Sequence, residues 1–320
     1  MSLPLIPVPV IQRFSRNDPK DIRIGEIIEF AEETPPDLHI GDVCLIGFPE
    51  DRGVVRNHGR EGARGGPEKV RDMLYRLPAG NMQAGIRRFD RFRIYDLGLV
   101  QTGSSLEEAQ YRLGSVVAYV LHHRAIPVVI GGGHETAYGH FLGYVQKQKA
   151  VSVINFDAHL DVRVLPADGI GNSGTPFRQM IEHPSGLLSS YAVLGIQPNS
   201  NSAYYLDYAR EKSIRTEWLS DFNMRHFTLK PWVSPDHPVY ATIDIDCFPA
   251  SVAPGCSAPP VTGVNTEKML VAAYDLGENP AVTSFDICEV NPLFDSDNRT
   301  AKLAALLIYQ FLSGLSHRNG

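Results

Sequence analysis

The chain has 320 residues, 43% of them hydrophobic and 21% charged, which is enough apolar material for a sizeable buried core. Its 30 Lys and Arg against 36 Asp and Glu leave a net charge of −6, which argues against non-specific nucleic-acid binding through a basic surface. No apolar stretch is long enough to span a bilayer. The N-terminal run Leu3–Ile11 is broken by Pro4, Pro7 and Pro9 and follows no basic residue, so neither a signal peptide nor a membrane partner is expected. The cysteines, at 44, 247, 256 and 288, show no Cys-x-x-Cys spacing; a disulfide framework is not expected and a cytoplasmic location is.

In chain order, the predicted strands are Val43–Phe48, Arg93–Leu97, Ile126–Ile130, Val151–Phe156, Ala192–Ile196, Ile214–Trp218, Val239–Ile245 and Ala281–Ile287. Helical spacing falls between them, at Pro67–Leu77, Leu106–His123, Thr136–Lys149, Ser202–Lys212, Thr266–Leu276 and Thr300–Leu315. Several strands are apolar throughout, as expected where both faces of a parallel sheet are covered. The alternation predicts one α/β domain over residues 1–320. It would have a central, mostly parallel sheet of about eight strands with helices on both faces. Only the loops at Arg163–Pro176 and Pro249–Gly263 are rich in Pro and Gly. In such a sheet ligands gather at the carboxyl ends of the strands.

Three strand ends carry unusual chemistry. They are Gly131-Gly132-Gly133-His134-Glu135, Asp157-Ala158-His159-Leu160-Asp161 and Asp244-Ile245-Asp246. Residues two apart in an extended segment point to the same side, so Asp157, His159 and Asp161 share one side, as do Asp244 and Asp246. An isolated Asp-x-Asp is more often a loop hydrogen-bond acceptor than a ligand pair; three such elements at strand ends favour metal. With His134, the set comprises carboxylates and imidazoles whose packing needs cations, and two divalent ions neutralise it. Oxygen outnumbers nitrogen and no thiolate takes part, which suits manganese, with zinc, iron or cobalt as alternatives. The glycine run fails as a dinucleotide fingerprint because Thr136 stands where the third glycine is needed. It reads instead as a tight turn that aims His134 inward.

These blocks, with Ser-Phe-Asp-Ile-Cys-Glu-Val-Asn-Pro at 284–292, resemble the signature segments of the ureohydrolase superfamily of arginases, agmatinases and formimidoylglutamases, over about residues 51–305. The resemblance implies a three-layer arginase-like fold and two Mn2+ ions per subunit. One ion would be held by His134, Asp157, Asp161 and Asp244, the other by Asp157, His159, Asp244 and Asp246. Asp51-Arg52-Gly53-Val54-Val55-Arg56-Asn57, Gly65-Gly66-Pro67, Gly133-His134-Glu135, Arg163 and Ser173-Gly174-Thr175-Pro176-Phe177 are most similar to the formimidoylglutamase branch, as are Asp295 and Arg299-Thr300-Ala301-Lys302. Agmatinases often carry His where this chain has Ser173, and arginases have a proton-shuttling His nearby, so an arginase-like relay is not implied.

The implied reaction is hydrolysis of N-formimidoyl-L-glutamate to L-glutamate and formamide by a hydroxide shared between the ions. Asp161 would orient it and pass on its proton, and Glu289 would face the formimidoyl nitrogens. Arg163 is the candidate for the substrate's carboxylates, with Asn172, Ser173 and Gly174 as further donors. The alternatives are an agmatinase, arginase or other guanidino-acid hydrolase, or a non-catalytic relative. A trimer or hexamer is also implied. Arg52, Arg56, Arg60 and Arg64 read as either a basic rim or an ordinary solvated loop. His140, His122, His123, Cys247 and Cys288 read as structural.

Overall fold

The computed structural model describes residues 3–32 and 34–318. The strands are β1 (Leu5–Ile6), β2 (Ile28–Phe30), β3 (Val43–Gly47), β4 (Ile94–Val100), β5 (Ile126–Ile130), β6 (Val151–Phe156), β7 (Leu188–Ile196), β8 (Arg215–Trp218), β9 (Val239–Asp244) and β10 (Val282–Cys288). Between them run α1 (Arg52–Arg56), α2 (Gly66–Tyr75), α3 (Leu106–His122), α4 (Thr136–Gln146), α5 (Pro176–Ile181), α6 (Ala203–Glu211), α7 (Leu219–Met224), α8 (Thr266–Glu278) and α9 (Arg299–Leu315).

One 10-stranded sheet runs in the order β1-β4-β3-β5-β10-β9-β6-β7-β8, with β2 also paired to β4. Every pairing is parallel except that of β1 with β4. The two strands beyond the expected eight are β1 and β2, two and three residues long, too short to leave a periodic signal. The short helices α1, α5 and α7 were not anticipated either; at five or six residues each they are too short for a clear periodic signal.

Both sheet faces are covered, and successive strand residues divide between them. In β3, Val43 and Leu45 pack in a cluster with residues of α2, α8 and α9, while Cys44 and Ile46 pack with residues of α3. A further cluster joins β6 and β7 to α4, α5 and α6. Local chemistry starts the helices. Ser105 accepts a hydrogen bond from the Glu108 N–H at α3, Asn265 accepts one from Lys268 at α8, and Pro67 opens α2. Helices α8 and α9 cross at glycines: a β-carbon on Gly277 would stand 2.1 Å from the Phe311 carbonyl oxygen. Among the described residues no helix is long and apolar enough to cross a membrane.

Candidate metal centre

The three strand ends identified above and the 284–292 block belong to four neighbouring strands, in the order β5-β10-β9-β6. Chain order breaks here, because β6 follows β5 in sequence yet lies three strands away. Such a break opens a crevice at the carboxyl end of a parallel sheet.

The residues converge by turns and not by strand alternation. β6 ends at Phe156 and β9 at Asp244. Beyond them Asp157 Oδ1 accepts the His159 N–H at 2.7 Å, and Asp244 Oδ1 accepts the Asp246 N–H at 2.8 Å. In both places an aspartate folds the chain back over its own side chain, an Asx turn. The expectation that extended backbone places these residues on one side is therefore corrected. The glycine run leads into a turn in which the Thr136 N–H bonds the Gly133 carbonyl at 3.0 Å. A β-carbon on Gly132 would lie 1.9 Å from the Glu50 carbonyl oxygen, so glycine there admits the close passage of the β3–α1 loop.

His134 Nδ1 lies 3.1 Å from Asp161 Oδ2, 3.1 Å from Asp244 Oδ2 and 3.4 Å from Asp157 Oδ2. His159 Nδ1 lies 3.1 Å from Asp246 Oδ2 and 3.3 Å from Asp157 Oδ1. These contacts form two ligand groups, His134–Asp157–Asp161–Asp244 and Asp157–His159–Asp246, whose donor atoms lie within 4.8 Å of one another in each group. Asp157 belongs to both. Asp244 belongs to the first, and its other oxygen accepts the Asp246 N–H. The donor set fits hard-to-borderline divalent ions: oxygen and imidazole, with no sulfur. Asp246 Oδ1 is buried without a hydrogen-bond partner, as a ligand atom awaiting a cation would be.

The electrostatics show what these groups demand. Burial, then Asp246 and Asp157, holds the Asp244 carboxyl well above the ordinary carboxylate range. Burial pushes Asp246 up to about 6 despite the opposing pull of His159. For His134, burial favours the neutral ring, but hydrogen bonds to Asp157, Asp161 and Asp244 overcome it and raise its pKa. His159 is raised in the same way by Asp246 and Asp157. The cluster seeks positive charge, which protons or metal ions supply.

Two carboxylates at the site, one of them a ligand, stand on unusual backbone. Asp161, at φ 48°, and Glu289, at φ 69°, both adopt the left-handed conformation that non-glycine residues avoid. Glu289 accepts the His134 backbone N–H through Oε1 at 2.9 Å, while its Oε2 is buried and unpartnered. Burial, followed by Asp244, raises Glu289 to about 8. Glu135 is fully buried and accepts the Gly53 N–H at 2.7 Å, which docks α1 against the site.

A cleft of about 420 Å³ opens over His159 and Asp161, lined also by Arg163, Asn199, Asn201 and Tyr205. A larger cavity of about 600 Å³ lies against α2 and includes none of the ligands. Arg163 is exposed, its backbone N–H bonded to the Gly174 carbonyl at 2.8 Å; among the described residues its guanidinium has no ion-pair partner. The other four arginines are engaged. Arg52 pairs with Glu50, Arg56 with Asp168, and Arg64 with Asp51, while Arg60 donates to the Cys256 and Ser257 carbonyls. Asn172 Oδ1 accepts the Gly174 N–H, so both hold the loop, and Ser173 Oγ accepts from Asn57 Nδ2 at 3.1 Å. None of Asn172, Ser173 and Gly174 lines the cleft over His159.

His140 is fully buried, as a structural residue would be, but its partners are polar: Asp286 and Tyr240. Sequence reasoning passed over Tyr240, Thr242, Asp286 and Asn155. The period-two alternation of Tyr240, Thr242 and Asp244 with apolar neighbours was the signal that could have found the first two. The four cysteines are free and buried. Asp295 accepts the Thr300 and Ala301 N–H groups, so it caps α9.

A model of the arginase family matches residues 41–314. Formimidoylglutamase of Rhodococcus jostii (strain RHA1) is 40% identical over 286 residues, which is 85% of this chain and 86% of that protein. Formimidoylglutamase of Streptococcus gordonii is 36% identical over 301 residues, 89% of each. The crystal structure of Trypanosoma cruzi formiminoglutamase with Mn2+2 superposes with a TM-score of 0.83 at 31% identity, covering 93% of this chain and 100% of that one.

Proposed function

The chain belongs to the arginase family and has its α/β fold, and we propose that it is a formimidoylglutamase, hydrolysing N-formimidoyl-L-glutamate to L-glutamate and formamide. The observation that carries this reading is a full set of ion ligands beside an arginine left uncommitted at the cleft mouth.

His134, Asp157, Asp161, Asp244, His159 and Asp246 would hold two manganese ions, which when bound would supply Lewis acidity that makes water a better nucleophile. The surrounding residues supply the remaining functions. In this reading the unpartnered Oε2 of Glu289, once ionised, would accept hydrogen bonds from the formimidoyl nitrogens and stabilise their positive charge. Asp161 Oδ2 is turned to His134, which leaves Oδ1 to orient the attacking water, accept its proton and deliver it to the departing amine nitrogen. The C–N bond to glutamate then breaks, and the two products take up the elements of one water molecule. Arg163 holds a substrate carboxylate through paired hydrogen bonds, and Asn172, Ser173 and Gly174 shape the loop that carries it. The proposal extends to one catalytic domain, to a homo-oligomer as the family resemblance implies, and to a reducing cytoplasm, which the free cysteines suit.

The test is release of glutamate from N-formimidoyl-L-glutamate by protein reconstituted with manganese, against a chelated control, with urea release from agmatine and arginine measured in parallel. Metal-dependent glutamate release that exceeds urea release is the expected result. A folded, manganese-loaded protein that releases only urea would move the substrate to another branch.

A further inference from the structure

The turn that presents His134 also carries a carboxyl group for which the proposed reaction has no use. Glu135 is fully buried, and Gln110 of α3 holds its backbone carbonyl through Nε2 at 2.9 Å. Its side chain reaches the first turn of α1, where Oε1 accepts the Gly53 N–H at 2.7 Å. An N–H in that turn has no acceptor within its own helix, so Glu135 supplies one from outside. Two glycines make the approach possible. A β-carbon on Gly53 would stand 2.4 Å from Glu135 Cδ, and one on Gly133 would stand 2.1 Å from Oε2. Helix α1 is thus seated on the residue next to an ion ligand.

The other side of α1 holds the loop that carries Arg163. The Gly53 carbonyl accepts the Ser173 N–H at 3.2 Å. Asn57, at the C-terminal end of α1, donates from Nδ2 to Ser173 Oγ at 3.1 Å. The carbonyl of the next residue, Gly174, accepts the Arg163 N–H at 2.8 Å. Arg163 is exposed and among the described residues has no ion pair, so the backbone of this loop sets its place. A buried carboxyl bonded to one main-chain N–H is ordinarily part of the scaffold. This one differs in what its partner carries, because Gly53 bonds Glu135 through its N–H and the recognition loop through its carbonyl. A shift of α1 would move Arg163 and leave the ion ligands where they are.

Building on the reading that Arg163 holds a substrate carboxylate, we propose that Glu135 and Asn57 are positioning residues that fix Arg163 relative to the ion ligands. Through α1 they set the preference of the site for a carboxylated amidine.

The experiment is steady-state kinetics of manganese-loaded protein on N-formimidoyl-L-glutamate, with a Mn2+ titration and a thermal melt of each variant. The variants are Glu135→Leu, Glu135→Gln, Asn57→Ala, Arg163→Ala and the double variant Asn57→Ala/Arg163→Ala. Asn57→Ala should raise KM about 2–10-fold, as loss of one hydrogen bond does, and Glu135→Leu about 10-fold or more. In both, kcat should change far less than KM, and two manganese ions should still bind. Glu135→Gln keeps an acceptor for Gly53 and should restore the wild-type KM. In the Arg163→Ala background, Asn57→Ala should raise KM no further, because the group it positions is gone. A merely structural role would lower the melting temperature and leave KM at the wild-type value. Wild-type KM in Asn57→Ala, additive losses in the double variant, or a Glu135→Gln that behaves like Glu135→Leu overturns the inference. Should Glu135→Leu fail to fold, Asn57→Ala and the double variant still decide. Unchanged KM in Arg163→Ala, or no hydrolysis by wild type, overturns the reading beneath and this inference with it. Raised KM in Arg163→Ala beside wild-type KM in Asn57→Ala overturns this inference alone.

Discussion

The two faces of β9 and β10 are equally buried but opposite in character. Towards α8 and α9 these strands show Ala241, Ile243, Phe285 and Ile287, all fully buried in the largest apolar cluster. Towards α4 the same strands show Tyr240, Thr242, Ser284 and Asp286, equally buried. Burying a polar group without a partner costs about 1–3 kcal/mol, and here hydrogen bonds offset that cost: Tyr144 to Ser284, Tyr240 and His140 to Asp286. One face supplies non-directional stability. The other is held by directional hydrogen bonds. A single sheet thickness separates apolar packing from polar pairing.

The comparison is tested most severely at Asp157, which both ligand groups share. Asp157→Ala should reduce the hydrolytic rate by about 10³-fold or more, equivalent to about 4 kcal/mol of barrier. The same change removes the acceptor of the turn to His159 and of Asn155, and a carboxylate shared by His134 and His159, so the ion-free variant should also melt lower than ion-free wild type. Calorimetry beside steady-state kinetics checks both, and an ion-free variant as stable as wild type would show that these bonds contribute nothing to the scaffold. On the opposite face only stability should suffer. Phe285 stacks on Phe311 with centroids 4.7 Å apart, and Phe285→Ala should cost about 3–5 kcal/mol in a denaturant titration. The folded variant should still bind two manganese ions.

Removing the ions sharpens the contrast as a function of pH. In the protein's own field His134 and His159 titrate above 6.5, Asp161 and Asp244 above 3.8, and Asp246 at about 6. A group whose folded pKa is raised adds stability while protonated and loses that contribution as pH climbs through the raised value. Asp157, shifted the other way, contributes stability that is constant across this window and is lost only as pH falls below 3.8. Chelated protein should therefore lose melting temperature steadily between pH 5 and 9. Protein holding manganese at about 100 times its dissociation constant gains about 2.7 kcal/mol per site, and the gap between the two forms should widen with pH. A gap that narrows would show that the carboxylates do not need the ions' charge.

How much of this was legible in the sequence follows from the range of the interactions. His134, Asp157, His159, Asp161, Asp244 and Asp246 sit in three compact blocks at strand ends, so type and spacing exposed them. The way they converge was hidden, because the Asx turns at Asp157 and Asp244 and the left-handed backbone at Asp161 and Glu289 leave no compositional mark. The polar cluster was hidden by distance in another sense. His140 and Asp286 are 146 residues apart, and nothing local to either announces the other. Reading β9 as one apolar run also blurred an alternation that assigns Tyr240 and Thr242 to one face and Ala241 and Ile243 to the other.

The smallest expected effect lies outside both faces, at Arg163. A guanidinium on an exposed loop is ordinarily a solvated group whose removal changes little. Here the neighbouring arginines each have partners in Glu50, Asp168, Asp51 or the Cys256 carbonyl, whereas Arg163 lines the cleft beside Asp161 without one. Its stem packs against Gly174, where an added β-carbon would stand 2.7 Å from Arg163 Cδ, so the side chain is steered without being neutralised. Arg163→Ala should raise KM for a dicarboxylate amidine by about 10–150-fold, the equivalent of about 1.5–3 kcal/mol, with kcat changed far less. Arg163→Lys keeps the charge but not the paired geometry and should recover only part of the loss. If both variants leave KM unchanged, recognition of the carboxylates belongs to another group, and the comparison of the two faces stands without it.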